Sequence, residues 1–129
     1  MIGSKMLVRT EHIALVAVCV VLAIVHVQDI NWYRFIVVFA ALDLIGYIPG
    51  LLMARNRDGY AAPIYYYLYN ITHSYLTGLF VALVWGMLLE GPEWAMLAIP
   101  IHLSGDRGIF GNSYKEISQP FEPSLSKHD

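Results

Sequence analysis

Four long apolar stretches constrain the fold of this chain more than any other feature. They cover residues 10–28, 32–54, 62–89 and 93–111, with short turn-like breaks between them. A helix needs about 20 apolar residues to cross the hydrocarbon core of a bilayer, and the first three stretches reach that length. The fourth stretch is interrupted by Pro100 and carries His102, Asp106 and Arg107. The sequence therefore predicts an all-α integral membrane protein.

The breaks also predict how the helices are arranged. Connections of a few residues join antiparallel neighbours, so we expect a transmembrane up-down four-helix bundle over residues 1–111. Gly46 and Gly50 lie four residues apart on the second stretch, a spacing that is typical of close helix packing. Residues 112–129 contain two prolines, four serines and little apolar material. This composition predicts a flexible cytoplasmic tail.

The distribution of charge predicts the orientation of the chain, because cations accumulate on the cytoplasmic side of spanning proteins. Seven of the eight cations fall on the side shared by both termini and the middle break: Lys5, Arg9, Arg55, Arg57, Arg107, Lys115 and Lys127. We expect both termini to be cytoplasmic, in a bacterial inner membrane. Membrane lipids are the expected partners, with a homo-oligomer left open. A net charge of −2 without a basic stripe excludes nucleic-acid binding.

Ionisable side chains inside the apolar stretches predict a buried site, because each costs several kcal/mol in hydrocarbon unless it is paired or hydrated. Counted from the cytoplasmic ends at 1.5 Å per residue, Asp43 and His73 lie about 16 Å deep and His102 about 14 Å. On the same count, Asn70 lies at about 12 Å and Asp106 at about 8 Å. Polar residues from three stretches therefore meet at similar depths, which indicates one pocket.

Helical spacing supports this interpretation. Residues three or four apart share a face of a helix, as do Asn70 with His73 and His102 with Asp106. Tyr47 follows Asp43 at the same spacing. Two imidazoles and two carboxylates can bind a divalent metal such as zinc, manganese or iron and leave room for an activated water.

The sequence thus predicts two overlapping sets of site residues. The metal ligands are His73, His102, Asp106 and Asp43. The residues that act on substrate or water are Asp43, Asn70 and Tyr47. Glu11 is left open between a fifth ligand and an interfacial or capping role.

Several functions fit such a site. One is a metal-dependent membrane hydrolase or lipid-modifying enzyme acting on a lipidic or amphiphilic substrate, and another is the same acid–base chemistry without a metal. A proton- or ion-conducting or accessory membrane subunit is the non-enzymatic alternative. The simplest alternative is that the polar side chains hydrogen-bond the helices together.

Several motifs occur in order on separate stretches: Arg9-Thr10-Glu11, Leu42-Asp43, Tyr69-Asn70-x-x-His73 and His102-x-x-x-Asp106-Arg107. In these motifs, over residues 7–115, the chain resembles a family of small bacterial four-helix integral membrane proteins of unknown function. The resemblance implies a topology and no activity. In its use of His and Asp, the chain is also weakly similar to membrane-bound metal-dependent hydrolases.

Overall fold

A computed structural model describes residues 3–91 and 93–127, and within these residues the chain is helical without a strand. The α-helices among them are α1 Ser4–Val25, α2 Trp32–Gly46, α3 Ile48–Ala54, α4 Pro63–Thr72, α5 Tyr75–Leu88 and α6 Ala98–Gly108. Short 3-10 helices cover Trp94–Leu97 and Pro123–Leu125. The predicted all-α class is confirmed. The ends of the predicted bundle and tail (residues 1, 2, 128 and 129) and residue 92, in a predicted break, lie outside the described residues.

Within the described residues, two helical stretches are long and apolar enough to cross a membrane. One is α1, with 22 residues, and the other is the 23-residue stretch Trp32–Ala54, which combines α2 and α3. Only 11% of each apolar window is buried inside the protein. Such exposure is unfavourable in water but suits contact with lipid. Counting α4 and α5 as one bent span gives a third candidate.

Local chemistry explains the interruptions in the second and third stretches. The second stretch is interrupted at Tyr47, between α2 and α3, close to Pro49, which has no N–H to donate. Main-chain hydrogen bonds continue on both sides of the interruption, from Tyr47 N–H to Asp43 O and from Leu51 N–H to Tyr47 O. In the third stretch, α4 ends at Thr72. There the Thr72 hydroxyl donates to Leu68 O at 2.8 Å, a side-chain bond that competes with a regular helix.

The fourth apolar stretch does not form a membrane-spanning helix by length. The helix α6 has 11 residues, about 16 Å at 1.5 Å per residue, against about 30 Å for the hydrocarbon core. It packs mainly against α1. Arg9 on α1 donates to the carbonyls of Gly108 and Ile109, which have no partner within the helix. Two to three candidate spans are therefore shown, and a four-span bundle stays a prediction.

The described residues divide into two compact units. The first unit contains residues 3–39, 75–91 and 93–113, and the second contains residues 40–74 and 114–127. The core of the second unit consists of Ala54, Tyr66, Tyr69 and Phe121. One of these four residues comes from the segment that the sequence analysis treated as a flexible tail.

That C-terminal segment, residues 114–127, packs into the second unit although it forms no α-helix within the described residues. Phe121 is completely buried, and the Tyr66 hydroxyl donates to Gln119 O at 2.7 Å. Apolar composition over the whole segment is low, which is why the sequence predicted a mobile extension. One buried aromatic side chain supplies the packing of this segment, and the flexible cytoplasmic tail over residues 112–129 stays a prediction.

The close-packing prediction for Gly46 has a testable consequence. A Cβ at this position would lie 3.0 Å from the Cβ of Thr72 and 3.3 Å from Leu68 O. We expect Gly46→Ala to lower the free energy of unfolding by about 1–3 kcal/mol, because the Thr72 side chain must move. The control is Gly105→Ala in α6, where the added Cβ meets no atom within 4 Å. Equal unfolding midpoints for the two variants would contradict the close contact.

Candidate metal centre

His73 is positioned by the end of α4. Its ring stacks on the ring of Tyr69 with centroids 4.0 Å apart and planes at 12°. Its Nδ1 lies 3.0 Å from Tyr69 O and 3.0 Å from the Thr72 hydroxyl oxygen. Its Nε2 lies 3.1 Å from Oδ1 of Asp43. The imidazole is therefore buried and fixed, and one nitrogen faces a carboxylate.

His102 is held in a similar way within the first unit. Its Nδ1 lies 2.8 Å from Phe39 O, and its ring contacts the Phe39 ring at a centroid distance of 4.5 Å. Its Nε2 lies 3.4 Å from Oδ2 of Asp106, one helical turn further along α6. The side chain of His102 is 3% exposed and that of Asp106 is 23% exposed. The predicted pairing of His102 with Asp106 is therefore present.

These contacts determine how each imidazole carries its protons. A carbonyl oxygen accepts but cannot donate, so the nitrogen that faces it, Nδ1, must carry a hydrogen. The neutral form of each ring then presents a lone pair at Nε2 toward a carboxylate oxygen, which is repulsive. A second proton or a metal ion at Nε2 removes this repulsion.

The distances are compatible with a metal. Bonds of about 2.0–2.2 Å from zinc to nitrogen and oxygen place two ligand atoms of a tetrahedral site about 3.3 Å apart. The nitrogen–oxygen separations for His73 and His102 are 3.1 and 3.4 Å. A hydrogen bond from a protonated ring fits the shorter of the two separations as well. The geometry therefore admits both a metal site and an acid–base pair.

Each unit therefore holds one pair of an imidazole and a carboxylate: His73 with Asp43 in the second unit, and His102 with Asp106 in the first. Imidazole and carboxylate are both ligands of catalytic zinc sites, in which a further position is left for water. Glu11 lies on an exposed part of α1.

The structure places the other two predicted site residues against the C-terminal segment. The Asn70 amide donates from Nδ2 to Lys115 O at 2.9 Å and accepts from the Lys115 N–H at 2.7 Å. The Tyr47 hydroxyl donates to the carboxylate of Glu122. Asn70 and Tyr47 therefore hold the C-terminal segment, a contribution that helical spacing did not predict.

Sequence reasoning also missed an aromatic site around Lys115. The ammonium of this residue donates to Phe121 O at 2.7 Å. It also lies 4.6 Å from the ring centroid of Tyr69, 4.8 Å from that of Phe121 and 5.6 Å from that of Tyr47. Cation–π contacts of this kind gain strength when the charge is partly desolvated. The three rings come from separate parts of the sequence, so no local pattern identifies them.

Glu122 gives the docked segment a dependence on pH. Burial raises the pKa of its carboxyl, but hydrogen bonds from Tyr47 and Ser124 outweigh burial and lower this pKa below the ordinary value of 4.5. A carboxyl group whose pKa is lowered in the folded state stabilises that state at pH values above its ordinary pKa. This contribution is lost as the pH falls through the lowered pKa.

We therefore expect residues 114–127 to be cleaved faster by an acid-active protease as the pH falls below 4.5. The Glu122→Gln variant lacks this carboxyl and should show cleavage that changes less with pH. An identical pH profile for both proteins would show that Glu122 does not control docking.

No known protein family model, no curated protein sequence and no solved structure matches this chain. The resemblance to small bacterial membrane proteins stays a prediction. The described residues form a helical protein with candidate membrane spans and two His/Asp pairs, one in each unit. These side chains therefore carry the functional interpretation.

Proposed function

We propose that this protein is a membrane-embedded enzyme with a divalent metal ion bound by the ligands that the sequence predicts, among them Asp43, His73 and His102. A metal bound there would supply an activated water molecule for attack on a lipidic or amphiphilic substrate. Zinc, manganese and iron all accept imidazole and carboxylate ligands. Asp106 faces the same nitrogen, Nε2 of His102, and would complete the ligand set.

The single observation that carries this proposal is the orientation of the two imidazole rings, which is the same for His73 and His102. Each directs Nδ1 at a main-chain carbonyl and Nε2 at a carboxylate. In metal sites, the nitrogen that does not bind the ion commonly donates to a carbonyl, which fixes the ring and its tautomer. Two histidines with this arrangement favour a metal site over general hydrogen-bonded packing.

The membrane setting supports a lipidic substrate. Asp43 lies in the candidate span Trp32–Ala54, and its side chain is 45% exposed while that of His73 is 5% exposed. A metal bound to Asp43 would remain accessible through this partly exposed side chain. We further propose that the chain lies in a bacterial inner membrane with both termini in the cytoplasm, because the cations cluster on that side.

The test is a turnover assay on the full chain in lipid nanodiscs that contain a mixed bacterial lipid extract. Metal-loaded protein should release a lipid fragment, and a chelator should abolish this release. Asp43→Asn should lower the rate at least about 100-fold, because ligand changes remove the metal or its activated water. Product formation that continues in the chelator would support the metal-free acid–base alternative and reject the metal.

A hydrogen-bonded chain in the first unit favours a second candidate function, proton conduction. Ser104 is fully buried, and its hydroxyl contacts the Tyr75 hydroxyl and lies 2.9 Å from His12 Nδ1. Protons cross membranes along relays of this kind. Proton flux into liposomes that persists without metal and disappears in Ser104→Ala would favour this function. Absence of flux from the unaltered chain would reject it.

A further inference from the structure

A polar cavity of about 460 Å³ lies in the second unit, at the end of α3. It is lined by Arg55, Asn56, Asp58, Leu125 and Lys127. These residues come from the turn after α3 and from the last part of the C-terminal segment. None of them belongs to the candidate metal centre.

Main-chain contacts build this cavity. The turn closes through a bond from Gly59 N–H to Ala54 O at 3.0 Å, with Asp58 in a left-handed conformation at φ 54°. The Glu122 N–H donates to Gly59 O at 3.0 Å, and the Lys127 N–H donates to Asp58 Oδ1 at 2.7 Å. The docked C-terminal segment thus supplies one wall of the cavity.

The lining of the cavity is cationic. Arg55 and Lys127 contribute positive charges, whereas one carboxylate oxygen of Asp58 accepts the main-chain bond described above. Arginine and lysine are the side chains that recognise phosphate oxygens in proteins, and Asn56 adds an amide donor. The volume exceeds that of a bare ion and falls in the range of small-molecule sites.

The position of the cavity relative to the candidate span indicates the same class of ligand. Arg55 directly follows the 23-residue stretch Trp32–Ala54. Cationic side chains immediately after a span lie at the level of lipid phosphates and attract anionic lipids. Leu125 provides an apolar surface next to these charges.

We propose that this cavity binds a phosphate ester, with Arg55 and Lys127 as the cationic contacts. The phosphate belongs to the headgroup of an anionic lipid or to a soluble ester of the same chemistry. Binding depends on the docked C-terminal segment, because Lys127 and Leu125 reach the cavity only in that conformation. This inference is independent of the metal centre and of the proposed enzymatic activity.

The experiment titrates the full chain in zwitterionic detergent with short-chain phosphatidylglycerol, and separately with inorganic phosphate. We expect saturable binding of phosphatidylglycerol that weakens at least about tenfold in Arg55→Gln and in Lys127→Gln, a loss of about 1.4 kcal/mol each. Competition by inorganic phosphate would assign the site to phosphate esters in general. Lipid binding without such competition would assign it to a lipid headgroup.

The control variant is Lys5→Gln, which removes an exposed cation of the first unit with the same change in net charge. It should bind phosphatidylglycerol as the unaltered chain does. Phe121→Ala, which removes the buried anchor of the C-terminal segment, should weaken binding while Arg55 and Lys127 are retained. Failure to bind either probe would overturn the proposal. Equal weakening by Lys5→Gln would overturn it too, because binding would then follow overall charge.

Discussion

Replacing both His73 and His102 with alanine is expected to leave the purified protein without bound divalent metal. The double variant removes both proposed imidazole ligands and keeps Asp43 and Asp106, whose carboxylates bind zinc weakly in water. Loss of outer-shell partners alone lowers metal affinity by roughly 10–100-fold, so loss of two direct ligands should exceed about 100-fold. The measurement is metal content per chain, by elemental analysis after equilibration with zinc, manganese or iron.

His26→Ala is a matched control for this prediction. His26 also pairs with a carboxylate, Asp29, at a nitrogen–oxygen distance of 3.3 Å. Its side chain is 28% exposed and that of Asp29 is 64% exposed, so this pair is solvated. The control should keep the metal content of the unaltered chain. An unchanged metal content in the double variant, together with a lowered metal content in His26→Ala, would contradict the assignment of His73 and His102 as metal ligands.

Phe121→Ala is expected to lower the free energy of unfolding of the second unit by about 3–5 kcal/mol, the usual cost of truncating a buried phenylalanine. Phe121 is completely buried. Its ring meets those of Tyr66, Tyr69 and Tyr47 at centroid distances of 5.3, 6.1 and 5.9 Å. Its removal also takes away part of the aromatic surface around the Lys115 ammonium.

The measurement is chemical unfolding in detergent, combined with hydrogen exchange at the amides of residues 114–127. Exchange should rise throughout this segment in Phe121→Ala and stay unchanged in Phe110→Ala. Phe110 is 70% exposed, so its truncation creates no cavity. If Phe121→Ala unfolds like the unaltered chain and its C-terminal amides stay protected, the segment does not depend on this anchor.

The sequence predicted the helical class and the second span with the same boundaries as the structure, because a mainly apolar stretch of 23 residues ends just before Arg55. The first helix begins at Ser4, six residues before the predicted start, since Lys5 and Arg9 are good helix formers outside the apolar run. The break after Thr72 contains no glycine or proline. It depends on contacts of Thr72 and His73 that composition does not reveal.

The sequence predicted the His/Asp pairs of the candidate site but not the contacts of Asn70. Burial of His73 and His102, and their pairing with Asp43 and Asp106, follow from the cost of isolated ionisable groups in lipid. The contacts of Asn70 depend instead on a distant partner, the main chain of Lys115. Partners 45 residues away in sequence leave no periodic signal.

X-ray absorption at the zinc edge of zinc-loaded protein tests the metal centre most directly. We expect a first shell of nitrogen and oxygen at about 2.0–2.2 Å, with outer-shell scattering from two imidazoles. In His102→Ala, the scattering should correspond to one imidazole. A shell of oxygen alone, or a spectrum unchanged by the loss of His102, would contradict a metal held by Asp43, His73 and His102.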